Sequence, residues 1–166
     1  MDRETSLWIP KRESNIYIHT TANAPKKKIT AFGFVLECET SKGPATLTHF
    51  GIHENVNKNQ AELLALEEAI KKLNKPCDLV IYTTPYIWTA FNMWLPTWKA
   101  NGWKNQKGKD VDEVYKRLET LLKPHNYSFK TDEHSYSEWL SRETKKEEEK
   151  CLINMAKSAR QQSSPK

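Results

Sequence analysis

An α/β fold is predicted by the sequence: a mixed five-stranded sheet, laid out along the chain as βββαβααβα and flanked by helices. Three observations lead there. Segments between Asn15 and Ile52 alternate apolar and polar residues with period two, as half-buried strands do. From Asn59 the spacing of apolar residues becomes helical. The run Asp78–Tyr82 (DLVIY) is short and continuously apolar, which after a strand and a helix predicts a buried strand parallel to the first.

In strand one, Asn15–Thr21 (NIYIHTT), Ile16 and Ile18 alternate with Tyr17 and His19. Ala22–Lys28 (ANAPKKK) is a basic turn, exposed and adding Lys26, Lys27 and Lys28 to the positive surface. Thr30–Glu39 and Ala45–Ile52 are two further strands joined by Ser41-Lys42-Gly43-Pro44, so the first three strands form an antiparallel meander. A helix covers Asn59–Leu73, with Leu63, Leu66, Ile70 and Leu73 inward and Glu67, Glu68, Lys71 and Lys72 solvated, until Asn74-Lys75-Pro76 ends it. Pro85 suits the first turn of a second helix. Asp110–Lys123 forms another, with Val111, Val114, Leu118, Leu121 and Leu122 inward. A final strand, Tyr127–Asp132, precedes a charged helix from about Ser137 to Arg160, supported by i to i+4 pairs within Glu143–Lys150. The domain is expected over residues 14–160, with an N-terminal extension at 1–13 and a disordered tail at 161–166.

At 166 residues the chain matches one domain with a core of its own. No apolar run approaches the roughly 20 residues of a membrane helix, and MDRETSLWIPKRES lacks the apolar segment of a signal peptide. The expectation is an intracellular, cytoplasmic protein with no membrane partner. Cys38, Cys77 and Cys151 are odd in number and widely spaced, which argues for structural thiols over a disulfide framework. A net charge of +5 favours a polyanionic partner, although such a charge also serves solubility.

Several motifs carry a family resemblance. AFGFVL at Ala31–Leu36 and NQAELLALEEAI at Asn59–Ile70 stand at the second strand and the first helix. Between Leu79 and Leu122, Trp94, Trp98, Gly102, Trp103, Lys104, Gly108, Lys109 and Val111 make a W-x3-W-x3-GW run followed by GK-x-V. On these residues the chain resembles the type 1 ribonuclease H family from about Ser14 to Ala159. The resemblance implies the ribonuclease H-like fold, a basic handle around Lys99–Lys109, and an active site in which four carboxylates hold two divalent metals for cleaving RNA in RNA:DNA hybrids. Only Glu62 keeps its acid there. The strand-one aspartate position falls on His19 of YIHTT, the strand-four position on Thr84 of TTP, and the last-helix position near Leu152 or Ile153. His134 matches the family's mobile histidine position.

Hard oxygen ligands are what magnesium or manganese require, and a hydroxyl and an imidazole are poor substitutes. The leading expectation is therefore a nucleic-acid-binding relative without two-metal hydrolysis and without a cofactor. An alternative is an active enzyme with rearranged ligands, using magnesium or manganese held by Glu62, Asp132 and Glu133, or a zinc or manganese site that includes His19. A third reading is a protein-interaction scaffold, with partners unknown. For nucleic acid, RNA:DNA hybrid or double-stranded RNA in particular, the candidates are Asn57, Lys58, Asn59 and Gln60 at the first helix start, and Trp98, Lys99, Trp103, Lys104, Lys107 and Lys109 in the handle. Trp94 is assigned to the core.

Overall fold

The computed structural model describes residues 12–22 and 28–163. Five strands, β1 (Arg12–Thr20), β2 (Ile29–Thr40), β3 (Gly43–Glu54), β4 (Cys77–Tyr82) and β5 (Asn126–Lys130), form one sheet in the order β3-β2-β1-β4-β5. β1, β2 and β3 are antiparallel, whereas β1 pairs in parallel with β4, and β4 with β5. The helices are α1 (Lys58–Lys71), α2 (Pro85–Thr89), α3 (Leu95–Ala100), α4 (Glu113–Leu122) and α5 (Ser137–Ser163), with a π-helical turn, Ala90–Trp94, joining α2 to α3. This is the predicted mixed sheet flanked by helices.

Period-two alternation sorts the strand residues onto the two faces. Ile16, Phe34 and Leu36 turn toward α1 and α4, whose Leu63, Leu66 and Leu118 complete the main core. Tyr17 and Val35 face the other way and are covered by Leu140 of α5. The π-helical turn carries Phe91 to stack on Phe129 at 4.6 Å. Burying these side chains contributes on the order of 1.5–3 kcal/mol each.

Boundaries differ where caps and propensities override periodicity. α4 begins at Glu113 instead of Asp110, because the Asp112 side chain accepts the Val114 amide as an N-cap. β5 ends at Lys130, short of Asp132. α5 continues to Ser163, past the expected end at Arg160, since Arg160 to Gln162 are helix formers with no breaker before Pro165. β1 reaches back to Arg12, so Glu13 belongs to the sheet. Residues 1–11 and 164–166, with Lys26 and Lys27 of the basic turn, lie outside the described residues.

Glu67 overturns the expectation of a solvated side chain. It is 6% exposed, and Arg117 of α4 donates to both its oxygens, at 2.6 and 3.1 Å. Period alone places it outside, but α4 packs over that flank and supplies the cation that offsets its desolvation. The pairs within Glu143–Lys150 are i to i+3, Glu143 with Lys146 and Glu147 with Lys150, instead of i to i+4.

On β3, His53 stacks against Phe32 at 4.6 Å and lies 3.7 Å from Glu68. Burial pushes its pKa below 6.5, and Glu68 only partly opposes this. Between the depressed value and the ordinary one the unfolded chain binds more protons than the folded chain, so stability rises with pH across that window. The urea midpoint of the native chain is expected to climb from about pH 5.5 to about pH 7.5 more steeply than that of His53→Gln. Parallel profiles for the two proteins would show that His53 titrates normally.

Candidate functional site

The carboxyl ends of β1 and β4, the start of α1 and one face of α5 enclose a cavity of about 620 Å³. Such a position, beyond the carboxyl ends of parallel strands, is where α/β sheets commonly place ligands. β1 contributes Ile18, His19 and Thr20, α1 contributes Lys58 and Glu62, and Thr84 lies opposite. The structure thus brings together three of the positions expected to matter, Glu62, His19 and Thr84.

Glu62 is 5% exposed. Its Oε1 accepts the Thr84 hydroxyl at 2.6 Å and its Oε2 accepts the Thr84 amide at 2.9 Å, so both oxygens are engaged by one residue at the start of α2. Burial raises the Glu62 pKa, while the two Thr84 hydrogen bonds and the nearby Lys58 draw it back. Burial also lowers the pKa of His19, which favours the neutral imidazole.

The last-helix position requires a correction. Leu152 and Ile153 are 49% and 54% exposed and lie beyond the cavity. Instead, Ser141, Lys145 and Glu148 line it, spaced i, i+4 and i+7 along one face of α5. An acid does therefore reach the cavity from this helix, but Glu148 accepts the Thr21 hydroxyl at 2.5 Å. Sequence reasoning misses both Glu148 and Lys145, because a register anchored near Cys151 places the helix more than a turn away from its actual position. The polar stripe at i, i+4 and i+7 from Ser141 is the signal that could have found them.

Asp132, Glu133 and His134 are not joined to Glu62. They line a separate space of about 250 Å³ with Thr83 and Thr84, and both acids are exposed. His134 packs 4.4 Å from the Tyr17 ring and 5.2 Å from Tyr82, and its Nδ1 accepts the Tyr136 amide at 3.2 Å. Burial lowers its pKa, Glu133 raises it, and His19 adds a smaller lowering. The expected Glu62, Asp132 and Glu133 metal set is thereby divided between two cavities, and among the described residues no three His, Cys, Asp or Glu side chains converge to hold an ion. For a pair of hard dications the lining is a poor donor set: two carboxylates, Glu62 and Glu148, each hydrogen-bonded to a threonine, with an imidazole, neutral hydroxyls and two ammonium groups.

A second surface lies at the handle. Tyr86, Trp94, Trp98, Asn105 and Lys107 border a groove of about 390 Å³. Trp94, expected in the core, is 38% exposed and sits edge-on to Tyr86 at 5.3 Å, because the π-helical turn rotates it outward. Trp98 packs on Tyr115 at 5.1 Å, and Trp103 lies under the Lys116 ammonium at 5.8 Å. Exposed aromatic surface is therefore supplied by Tyr86 and Trp94 as much as by the predicted Trp98 and Trp103.

The handle's charge is partly neutralised internally. Lys99 pairs with Glu119 at 3.0 Å and Lys104 with Asp110 at 2.6 Å. Lys107 and Lys109 project from a turn that Asn105 organises, its Oδ1 accepting the amides of both, at 2.9 and 3.1 Å. Trp103 takes a left-handed φ of 65°, uncommon for an aromatic residue, held by its amide donating to Trp98 and its carbonyl accepting from Val111. At α1, Asn57 and Gln60 form a reciprocal capping box, and Gln60 also donates to Asp112 at 3.0 Å. That leaves Lys58 and Asn59 as the side chains of this group outside the cap.

Known proteins show the same architecture. The RNase H family model matches residues 13–133. Ribonuclease H of Cupriavidus pinatubonensis is 36% identical over 83 residues, 48% of this chain and 57% of that protein. Ribonuclease H of Francisella tularensis subsp. novicida is 34% identical over 83 residues, 48% of this chain and 55% of that protein. The chain thus spans little more than half the length of these curated relatives. Among solved structures, LC9-RNase H1, a type 1 RNase H with the type 2 active-site motif, superposes with a TM-score of 0.62 at 16% identity, covering 81% of this chain and 71% of that one. The prototype foamy virus RNase H domain superposes with a TM-score of 0.58 at 23% identity, covering 77% and 83%. At these identities the superpositions establish the fold. No helix among the described residues is long and apolar enough to cross a membrane.

Proposed function

The chain belongs to the ribonuclease H family, and from that premise we propose that it binds nucleic acid, RNA:DNA hybrid or double-stranded RNA, without hydrolysing it by the two-metal route. The observation that carries this reading is the state of Glu62. Both its oxygens accept hydrogen bonds from Thr84, and Lys58 and Lys145 line the same cavity. Two dications would have to compete with the Thr84 hydrogen bonds and approach two ammonium groups, and the cavity's other lining carboxylate, Glu148, is itself hydrogen-bonded to Thr21.

Binding needs less. Cations contact phosphates and flat aromatic faces contact sugars or bases, and the handle sets Lys107, Tyr86 and Trp94 along one groove, with Lys109 on the same Asn105 turn as Lys107. The curated relatives from Cupriavidus and Francisella are ribonucleases H, which supports nucleic acid as the partner.

The test is binding of hybrid, double-stranded RNA and double-stranded DNA across salt, with subsequent incubation in magnesium and then manganese. Salt-sensitive binding with the RNA strand left intact is expected. Manganese-dependent cutting that Glu62→Gln abolishes would instead establish the enzyme with rearranged ligands, in which Glu148 would be the acid to examine. Absence of salt-sensitive binding to all three duplexes would remove the proposal.

A further inference from the structure

We infer that the cavity at Glu62 accepts a phosphate group directly, with the ammonium groups of Lys58 and Lys145 supplying the positive charge and no metal ion between protein and phosphate. As a site for a backbone phosphate the inference rests on the nucleic-acid reading, but the anion chemistry stands without it.

The lysines approach from opposite layers, Lys58 from the first turn of α1 and Lys145 from the middle of α5. Among the described residues neither ammonium group lies within ion-pairing distance of a carboxylate, whereas Lys71, Lys99, Lys104, Lys116, Lys146 and Lys150 each have one. The carboxylates that share the cavity are turned to hydroxyl donors in its walls, Glu62 to Thr84 and Glu148 to Thr21. The cavity thus holds two ammonium groups outside close ion pairs beside two carboxylates hydrogen-bonded to hydroxyls in its walls, with Lys58 near enough to Glu62 to draw its pKa down. Ser141 lies one helical turn before Lys145, so a hydroxyl stands beside the ammonium groups. A volume of about 620 Å³ admits a phosphate with its esterified sugars, and charge-assisted N–H to oxygen bonds are the stronger class of hydrogen bond available to it. The two lysines give the cavity cations of its own beside its two acids, so a phosphate meets ammonium donors there without a bridging dication.

The full chain and the double variant Lys58→Gln/Lys145→Gln are compared in chelator. Both lysines are exposed, and equal urea midpoints check that the variant folds. Titration with inorganic phosphate, read through amide resonances, should saturably shift Thr20, Lys58 and Ser141 in the native chain and leave them still in the variant. Hybrid binding in chelator should match that in magnesium. The variant should bind about tenfold more weakly, with its salt slope reduced by about 2. Unshifted amides together with unchanged hybrid binding and slope in the variant would overturn the phosphate site while leaving the nucleic-acid reading intact. Phosphate shifts without hybrid binding by the native chain would do the reverse, keeping the site and naming free phosphate as its ligand. Shifts or hybrid binding that require magnesium would refute a metal-free site.

Discussion

Valine at Gly33 should unfold much of the protein or lower its urea midpoint by roughly 1 M or more. Gly33 lies mid-strand in β2, opposite His19 on one side and Phe50 on the other. A Cβ there would stand 2.6 Å from two Phe50 ring carbons and 2.8 Å from the Thr144 hydroxyl. Thr144 is fully buried on α5, and Phe50 leans on Trp139 at 6.0 Å, so relief requires moving the helix or repacking its aromatic contacts. Overpacking typically costs about 1–3 kcal/mol for small additions, and valine brings two further carbons. Against a total domain stability of about 5–15 kcal/mol this is a large fraction. A midpoint for Gly33→Val equal to the native value would mean that α5 does not approach β2 this closely, and the face carrying Ser141 and Lys145 would then not be held over the cavity.

Reversing charge at Lys107 and Lys109 should have the largest effect on binding. The double variant Lys107→Glu/Lys109→Glu is expected to bind hybrid about a hundredfold more weakly at low salt, with the slope of log affinity against log salt falling by about 2. Both side chains are exposed and project from the Asn105 turn, so the urea midpoint should hardly change. Lys99→Glu and Lys104→Glu are less clean probes, since each also breaks a pair, with Glu119 or with Asp110. Anisotropy titrations over a salt series read both quantities. Native affinity and slope in the double variant would take the handle out of the binding surface.

The features legible without coordinates are those encoded locally. Glu62 within NQAELLALEEAI, and the spaced tryptophans with GK-x-V, are close in sequence and hard to produce by chance. Glu67 shows the opposite case: its helical phase marks it as solvated, and only the arrival of Arg117 from 50 residues away makes its burial tolerable. Trp94 escapes a sequence reading because it closes a π-helical turn, whose wider winding departs from the 3.6-residue period used to assign faces.

The amino-acid order by itself determined the succession of strands and helices and the identity of the side chains at the carboxyl ends of β1 and β4, including His19 and Thr84. Tertiary structure alone decided which face of α5 meets that end, bringing Lys145 and Glu148 in and leaving Leu152 and Ile153 outside. It also decided that both oxygens of Glu62 are held by Thr84. The reason is physical: alternation and helical spacing describe an element relative to its own axis, while the rotation and shift of one element against another come from packing between residues far apart in the chain.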